Sequence, residues 1–417
     1  MEQTLALQGI RRVGQIGGTL VRTLCALALA LAVATTAIVP AGTAVADEPG
    51  PAQRLETFEL PSQLVDTSTP GALLPGGRTV PKVNVLLPDG YDANPDRAYP
   101  VLWLLHGANG GADTWASDIE ELAAGLPAII VMPDGGTFGM YMDWWNVGAR
   151  ANPAWATYHL RLLKDTIESR YRILPERRWH AIGGISMGGQ GALRYAALLP
   201  GYFGSVVGFS AALPNMQAPE VQFGLSVLGL VNGAGYHQIF GSPASAYATG
   251  NNPTAIAGNY AHTRMYLTSG NGINCPQDPV LPSFPGDVVI EAIINVQQGL
   301  FAHTARGAGA DVTARTTCGV HTFGVWDRAF VAARAWGFFE PVEEHPANWE
   351  YRTVAGEGEM WALDYEFAAP PSTVATFTRS GDTLSATGSG HVRISGPGNC
   401  GLAATLPFSQ PLPADCP

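Results

Sequence analysis

From about Val80 to Glu340 the chain alternates between short apolar runs and longer segments with helical spacing. The apolar runs, in chain order, are PKVNVLLP, YPVLWLLHG, AIIVMPDGG, RWHAIGGIS, FGSVVGFSAA, RMYLTSGNG and ADVTARTTCGV. Segments with helical periodicity lie between several of them: ATYHLRLLKDTIESRYR, MGGQGALRYAALLP, IEAIINVQQGLFAHTARG and VWDRAFVAARAWGFF. Strands that are apolar throughout and separated by helices predict a mostly parallel sheet covered on both faces. This is an α/β fold.

The pattern changes around Glu340. A polar, proline-broken stretch, EPVEEHPANWEYR, is followed by short strand-like runs with Gly and Ser turns: EMWALDYEF, STVATFTRSGDTLSATGSG, HVRISG and CGLAATLPF. We therefore predict a main α/β domain over 47–340 and a small all-β module over 345–417. The sequence leaves open whether this module binds the cell wall, docks on the main domain or only completes the fold.

The first 46 residues have the features of a secretory signal peptide. Three arginines precede the apolar run LCALALALAVATTAIV, and Ala44–Ala46 (AVA) supplies a small-x-small cleavage signal. We predict that residues 1–46 are removed and that the protein is secreted, to the extracellular space or the cell envelope. An uncleaved membrane anchor is the alternative.

Four cysteines remain beyond this segment: Cys275, Cys318, Cys400 and Cys416. An even number in a secreted chain favours disulfides over metal binding. We expect the pairs Cys275–Cys318 and Cys400–Cys416, because each closes within one predicted unit. No zinc-type spacing and no cofactor motif is found, so neither a metal nor a cofactor is expected.

The charge of the chain limits its partners. Its formal net charge is −11, and the loss of three arginines with the signal peptide makes it more negative. A negative surface repels phosphate backbones, so no nucleic-acid partner is expected. No second run of about 20 apolar residues occurs, so contact with the cell envelope would be peripheral.

Ser186 lies at the junction of a predicted strand and a predicted helix, in Gly184-Ile185-Ser186-Met187-Gly188. A G-x-S-x-G between strand and helix is the pattern of a nucleophile elbow, in which a sharp turn exposes the serine hydroxyl above the sheet. A tight packing turn is the alternative interpretation.

A serine nucleophile needs a histidine base and a carboxylate that orients it. On an α/β-hydrolase fold these follow the serine in the order acid, then histidine. His321 comes directly after the last predicted strand and before the last helix, so it is the expected base. The other eight histidines precede Ser186, precede the strand expected before the acid, lie in a helical run or fall outside the domain.

The acid is less defined by the residues alone. Asp278 lies on the loop after the strand RMYLTSGNG, the usual place for this acid, whereas Glu291 begins the helical run EAIINVQQGLF. A carboxylate at a helix start is also favoured by the helix dipole. The pattern leaves Asp278 and Glu291 as equal candidates. The oxyanion donors are expected to be the N–H groups of Met187 and of Ala108, which follows the strand VLWLLHG.

Over roughly 80–340 the chain resembles the secreted mycolyltransferases and related actinobacterial esterase-like α/β-hydrolases. The resemblance rests on IIVMPDGGTFGMYMDWW, AIGGISMGGQGAL and YLTSGNG, followed by a Glu-led helix and His321. It implies that Glu291, some thirty residues before His321, is the acid, and it matches Met187 and Ala108 to the oxyanion donors. The segment His106-Gly107-Ala108-Asn109 departs from the family's trehalose-gripping loop, which leaves the acceptor open.

These features predict a secreted serine acyl-transfer enzyme acting on an ester of a lipid, glycolipid or sugar. Ser186 would form an acyl-enzyme that water or a sugar hydroxyl resolves. The apolar stretch Phe223–Tyr236 would form a helical cap, an acyl channel or only a packing helix. The alternatives are a polysaccharide-deacylating carboxylesterase of acetyl or feruloyl type, and a non-catalytic cell-envelope binding protein.

Overall fold

The computed structural model describes residues 54–148, 152–212, 214–278 and 285–417. The predicted signal peptide, residues 1–46, lies outside these ranges. The main sheet contains eight strands: β1 (Arg54–Glu59), β2 (Lys82–Leu87), β3 (Val101–Leu105), β4 (Ile129–Pro133), β5 (His180–Ile185), β6 (Ser205–Phe209), β7 (Arg264–Gly270) and β8 (Asp311–Thr317).

The strands lie in the order β1-β2-β4-β3-β5-β6-β7-β8. β1 and β2 are antiparallel to their neighbours, and the other six strands, β3 to β8, run parallel to one another. Every residue of β3, β4, β5 and β6 is buried. The continuous apolar runs of the sequence are therefore the central strands of a sheet that is covered on both faces, as expected for parallel strands.

Helices cover both faces of this sheet. They are α1 (Ile119–Leu122), α2 (Trp155–Thr157), α3 (Lys164–Arg170), α4 (Met187–Leu198), α5 (Pro219–Asn232), α6 (Tyr236–Phe240), α7 (Ala246–Gly250), α8 (Pro285–Gly307) and α9 (Phe323–Trp336), with a π-helical turn over Tyr158–Leu163. Short 3₁₀ turns occupy Pro75–Gly77, Ala112–Thr114, Asn146–Gly148, Arg177–Trp179 and Ala257–Tyr260.

Successive residues of β3 show how the two layers form. Trp103 packs in one apolar cluster with Leu193 of α4. Leu102 and Leu104 pack in a second cluster with Phe330 of α9. Because neighbouring side chains of a strand point to opposite faces, an unbroken apolar run supplies both layers at once.

The C-terminal residues form two four-stranded antiparallel sheets, in the orders β10-β11-β14-β15 and β16-β13-β12-β9. The strands are β9 (Asn348–Thr353), β10 (Glu357–Met360), β11 (Leu363–Phe367), β12 (Ala375–Ser380), β13 (Thr383–Thr387), β14 (His391–Ser395), β15 (Gly401–Thr405) and β16 (Phe408–Pro411). Buried and exposed residues alternate along β11, as in strands that cover a core on one face only. Residues 345–417 are called the C-terminal β region below.

This region docks on the main sheet's helical layer. The Tyr351 hydroxyl donates to the carbonyl of Leu198, the last residue of α4, at 3.0 Å. Asn259 and Arg352 exchange two hydrogen bonds of 2.7 and 3.0 Å. The contact lies at the opposite end of α4 from Ser186, so the C-terminal β region is attached away from the predicted nucleophile.

Both disulfide pairings expected from the sequence are present, Cys275–Cys318 in the α/β part and Cys400–Cys416 in the C-terminal β region. Within the described ranges, no helix combines the length and apolar character that crossing a membrane requires.

Candidate active site

Ser186 occupies a sharp turn between β5 and α4. Its backbone has φ 51° and ψ −118°, a conformation that non-glycine residues rarely adopt. The flanking glycines allow the turn, because a Cβ on Gly184 would lie 2.5 Å from Gly188 and one on Gly188 would lie 2.4 Å from the Leu105 carbonyl. Ser186 remains partly exposed. The strand-turn-serine-helix arrangement has the geometry of a nucleophile elbow.

His321 lies between Ser186 and Glu291. Its Nε2 is 2.9 Å from the Ser186 Oγ, and its Nδ1 is 2.6 Å from the Glu291 Oε2. The Glu291 carboxylate is fully buried and can only accept, so the His321 Nδ1 carries the proton and donates it to Glu291. The unprotonated Nε2 is then free to accept a hydrogen bond from the Ser186 hydroxyl. The three side chains form one continuous hydrogen-bonded series.

Asp278, the other candidate acid, is not part of this series. Its carboxylate forms two hydrogen bonds with the guanidinium of Arg328, at 2.6 and 3.0 Å. The Asp278 side chain therefore forms an ion pair that links the loop after β7 to helix α9.

Helix α8 begins earlier than the sequence suggested. It starts at Pro285, so Glu291 lies in the second turn and not at the helix start. Asp287 is the acidic residue of the first turn; burial raises the pKa of its carboxyl, and the nearby His321 opposes this. The dipole-based interpretation of Glu291 is therefore wrong, since dipole effects fade beyond the first turn.

The second oxygen of Glu291 is held from two neighbouring strands. Oε1 accepts a hydrogen bond from the Ser210 hydroxyl at 2.6 Å and another from the Gly270 N–H at 2.5 Å. Ser210 follows β6, and Gly270 ends β7. Sequence analysis missed Ser210; its place after the strand adjacent to β5 was the available signal, because carboxyl ends of parallel strands meet at one edge.

Two backbone groups flank the serine. Met187 opens α4, so its N–H belongs to the first turn, where helical N–H groups have no partner inside the helix. Gly107, before Ala108, approaches Ser186 so closely that an added Cβ would lie 3.4 Å from the Ser186 Cβ. Ala108 itself is exposed.

The His106 ring fixes the peptide that carries the Ala108 N–H. Its Nε2 accepts from the Gly135 N–H at 2.8 Å, so its Nδ1 carries the proton and donates to the Gly107 carbonyl at 2.7 Å. In a trans peptide the N–H points opposite to the carbonyl, so this bond sets the direction of the Ala108 N–H. Burial lowers the pKa of His106, which keeps the ring neutral.

A buried hydrogen-bond network centred on Asp134 lies next to the loop that carries Ala108. Asp134, fully buried, forms two hydrogen bonds with Arg78, of 2.6 and 3.0 Å, and accepts from the Ala112 N–H at 2.8 Å. Its carbonyl accepts from His159, whose pKa burial lowers to about 3. The sequence pattern had assigned no function to Asp134 or His159.

The disulfide Cys275–Cys318 anchors the segment that carries the histidine. Cys318 follows β8 and lies three residues before His321, and Cys275 lies on the loop after β7. The bond thus ties the two loops between which Glu291 and His321 meet. Across the described residues, no cluster of three or more His, Cys, Asp or Glu side chains could hold a metal ion.

The family model described as "Putative esterase" matches residues 78–336, a range that contains Ser186, Glu291 and His321. The chain belongs to this esterase family. Esterase Rv1288 of Mycobacterium tuberculosis is 34% identical over 254 residues, which cover 58% of this chain and 53% of that protein. MPT51 antigen of Mycobacterium leprae is 29% identical over 226 residues, 54% of this chain and 66% of that protein. The chain thus spans about half the length of the esterase it matches.

Solved structures agree with the α/β-hydrolase fold expected for an esterase of this family. Mycobacterium tuberculosis MPT51 (FbpC1) aligns with a TM-score of 0.54 at 20% identity, covering 69% of this chain and all of that one. The Staphylococcus aureus fluorophosphonate-binding serine hydrolase FphF aligns with a TM-score of 0.51 at 18% identity, covering 70% of this chain and all of that one. These likenesses confirm the fold class predicted from the sequence.

Proposed function

We propose that the protein is a secreted serine carboxylic-ester hydrolase or acyltransferase in which Ser186 is the nucleophile, His321 the general base and Glu291 the acid that orients it. The observation that carries this proposal is the uninterrupted series Ser186–His321–Glu291, with distances of 2.9 and 2.6 Å, on a strained strand-to-helix turn. Membership in the esterase family supports it.

The reaction follows from these positions. The Ser186 Oγ forms a bond to the ester carbonyl carbon as its proton moves to the His321 Nε2, and the carbonyl oxygen becomes an oxyanion. The N–H groups of Met187 and Ala108 stabilise that oxyanion. The intermediate collapses to an acyl-enzyme when the alcohol leaves with the proton from His321. Water or a second hydroxyl then repeats the sequence and frees the acyl group.

The substrate class proposed is an ester with an apolar acyl group, on a lipid, glycolipid or sugar. Helix α5 buries Val221 and Leu225, yet Phe223, Leu230 and Val231 on its other side are 48%, 78% and 57% exposed. Large exposed apolar side chains grouped on one helix are typical of a surface that contacts a hydrophobic ligand. Helix α5 begins seven residues after Ala212, whose N–H donates to the Ser186 carbonyl, and this short separation supports a role near the site.

A polysaccharide-deacylating esterase is the second candidate. Ala108 and Asn109 on one side of Ser186, and Phe323 and Gly324 beyond His321, are exposed, so the rim of the site is open. An open rim suits an ester on a bulky polymer. The non-catalytic alternative is disfavoured, since Ser186 is partly exposed and its hydrogen bond to His321 is intact.

The predicted signal peptide and the two disulfides support secretion, because disulfides persist in oxidising compartments. Contact with the cell envelope would then be peripheral.

The test is a series of p-nitrophenyl esters from acetyl to palmitoyl, assayed with and without a disaccharide acceptor. The wild type should release a burst of nitrophenol equal to the enzyme concentration, and Ser186→Ala should lose at least about a thousandfold in kcat. Long-chain preference with acyl-disaccharide product indicates a transferase, and free acid indicates a hydrolase.

A matched control is Ser205→Ala, which removes a buried serine hydroxyl at the start of β6. It should retain the burst. Equal activity of Ser186→Ala and the wild type, or no reaction of either with any ester, would contradict the proposal.

A further inference from the structure

Ser210 connects the strand beside the nucleophile to the buried acid. It directly follows β6, and its backbone lies in the left-handed region with φ 46°. Its N–H donates to the Thr268 carbonyl of β7 at 2.7 Å. A non-glycine residue persists in this region only where its surroundings hold it, so the Ser210 side chain has a defined direction.

The turn formed by residues 209–212, which contains Ser210, is also hydrogen-bonded to the main chain of Ser186. The Ser186 N–H donates to the Phe209 carbonyl at 3.0 Å, and the Ala212 N–H donates to the Ser186 carbonyl at 2.9 Å. Residues 209–212 therefore contact the main chain of the serine on one side and the glutamate on the other.

The hydrogen atoms of this cluster have only one consistent arrangement. An indole N–H can only donate, so the Trp326 Nε1 donates to the Ser210 Oγ, at 3.1 Å. The Ser210 hydroxyl then donates its own proton to the Glu291 Oε1, at 2.6 Å. Hydrogen bonds in such a series polarise one another, and those to an ionised acceptor are the stronger ones.

Trp326 also contacts the histidine. Its ring packs edge-on against the His321 ring, with centroids 5.0 Å apart, and the residue is 7% exposed. One side chain of α9 therefore touches the base directly and reaches the acid through Ser210.

We infer that Ser210 and Trp326 form a positioning relay that fixes the Glu291 carboxylate and keeps its Oε2 directed at His321. This inference rests on the proposed function, and Ser210 acts through Glu291 without touching the reacting atoms. With Oε1 occupied by Ser210 and Gly270, the carboxylate cannot rotate without leaving two donors unpaired in a buried site.

The relay has a consequence for the pH dependence of the rate. A hydrogen-bond donor stabilises the charged form of a carboxylate, so loss of the Ser210 hydroxyl removes part of that stabilisation. The acid limb of kcat/KM should then move to higher pH. In the described part of the chain, Asp287 on α8 interacts with His321, and Asp278 and Arg328 form an ion pair between the loop after β7 and α9; the variants below change none of these residues.

The experiment compares Ser210→Ala, Trp326→Phe and the control Ser205→Ala in the full-length enzyme with a short-chain nitrophenyl ester. For Ser210→Ala we expect kcat to fall about 10- to 100-fold with KM within about twofold, and the acid-limb midpoint to rise by about 0.5 to 1 pH unit. Trp326→Phe keeps a ring against His321 but lacks the N–H, so a smaller change in the same direction is expected. Ser205 begins β6, the strand that Ser210 follows, and its Oγ has no hydrogen-bond partner in the described part of the chain, so Ser205→Ala should match the wild type.

A lower rate with an unmoved acid limb would show that Ser210 is merely structural, and an unchanged kcat would overturn the relay outright. Melting temperatures identify a variant that fails to fold. If Ser210→Ala does not fold, Trp326→Phe takes its place, and the fall in kcat and the shift of the acid limb are measured on that variant. Full activity of Ser186→Ala would refute the proposed function itself. An inactive Ser186→Ala beside a normal Ser210→Ala would refute only the relay.

Discussion

The carboxyl edge of the main sheet and the C-terminal β region differ in the kinds of polar side chain that they bury. At the sheet edge, His106, Asp134 and Glu291 are buried, and each has hydrogen-bond partners from other elements. In the described residues 345–417, the buried hydrogen-bonding side chains of Thr353, Tyr351 and Tyr365 carry hydroxyls, and no His, Asp or Glu is buried. Apolar burial stabilises both regions, but among the described residues only the first buries His, Asp and Glu side chains, whose interactions in a low-dielectric environment are strong enough for chemistry.

The largest expected effect tests, within the first region, whether the buried Glu291 or the partly exposed Asp278 is the acid. Glu291→Gln should lower kcat about 10³- to 10⁴-fold, because an amide cannot hold His321 in the required tautomer. Asp278→Asn is the matched control and should stay within about threefold, since its partner Arg328 forms a partly exposed ion pair. Steady-state kinetics with a short-chain ester measures both; the reverse ranking would identify Asp278 as the acid.

The two disulfides provide the next test, one in each region. Replacing both cysteines of Cys400–Cys416 should lower the free energy of unfolding by about 3 kcal/mol and leave kcat unchanged. Replacing both cysteines of Cys275–Cys318, which closes a longer loop, should lower it by about 4 kcal/mol and also lower kcat, because His321 lies three residues from Cys318.

Each pair of cysteines is replaced by serines. Urea denaturation of the two double variants then gives the change in the free energy of unfolding, and steady-state kinetics gives the change in kcat. A normal kcat in the variant of Cys275 and Cys318 would show that the His321 loop holds its position without the disulfide.

Two buried histidines at opposite ends of neighbouring strands test whether only the carboxyl edge of the sheet affects the rate. His106 follows the carboxyl end of β3, and His180 begins β5. His106→Gln should lower kcat about 10- to 100-fold, because the Gly107–Ala108 peptide loses its anchor and an oxyanion donor is misplaced. His180→Gln should leave kcat unchanged while it destabilises the fold. Equal rate losses would mean that His106 only supports packing.

The smallest expected effect concerns acid stability. Burial lowers the pKa of His159 to about 3 and that of His180 to about 4, from an ordinary 6.5. Between pH 6.5 and 4 the unfolded chain binds more protons than the folded one. The free energy of unfolding therefore falls as the pH falls, by at most about 1.4 kcal/mol per pH unit for each histidine.

Denaturation of the wild type and His159→Gln at pH 7 and pH 5 isolates one of these contributions. The variant should show the weaker pH dependence. Identical slopes would mean that His159 is not held neutral in the folded protein.

Much of the fold was predictable because it depends on local pattern. Each apolar run between Pro81 and Val320 contains one observed strand, since continuous hydrophobicity bounded by Gly or Pro is a local property. β1 was not predicted, because RLETFE lacks both an apolar run and a turn signal. The start of α8 at Pro285 was also missed, because proline is accommodated in the first turn of a helix.

The candidate site was predictable only in part. Ser186 and His321 follow from the strand-serine-helix motif and from chain order, whereas Asp278 and Glu291 were equal candidates until the family resemblance was considered. The structure separates these two by distance, placing one carboxylate 2.6 Å from His321 and the other against Arg328. No local pattern contains that information, because the bonded residues are 30 and 50 positions apart.

The sequence by itself predicted the α/β architecture, the C-terminal β strands, the disulfide pairs and the strand-to-helix turn that carries Ser186, because each depends on residues that are close in the chain or on composition. Only the tertiary structure decided the contacts among Ser210, Glu291 and Trp326, the role of the His106 ring, and where the C-terminal β region docks. These depend on which strands become neighbours at the carboxyl edge of the sheet, and strand order arises from long-range packing that no short stretch of sequence encodes.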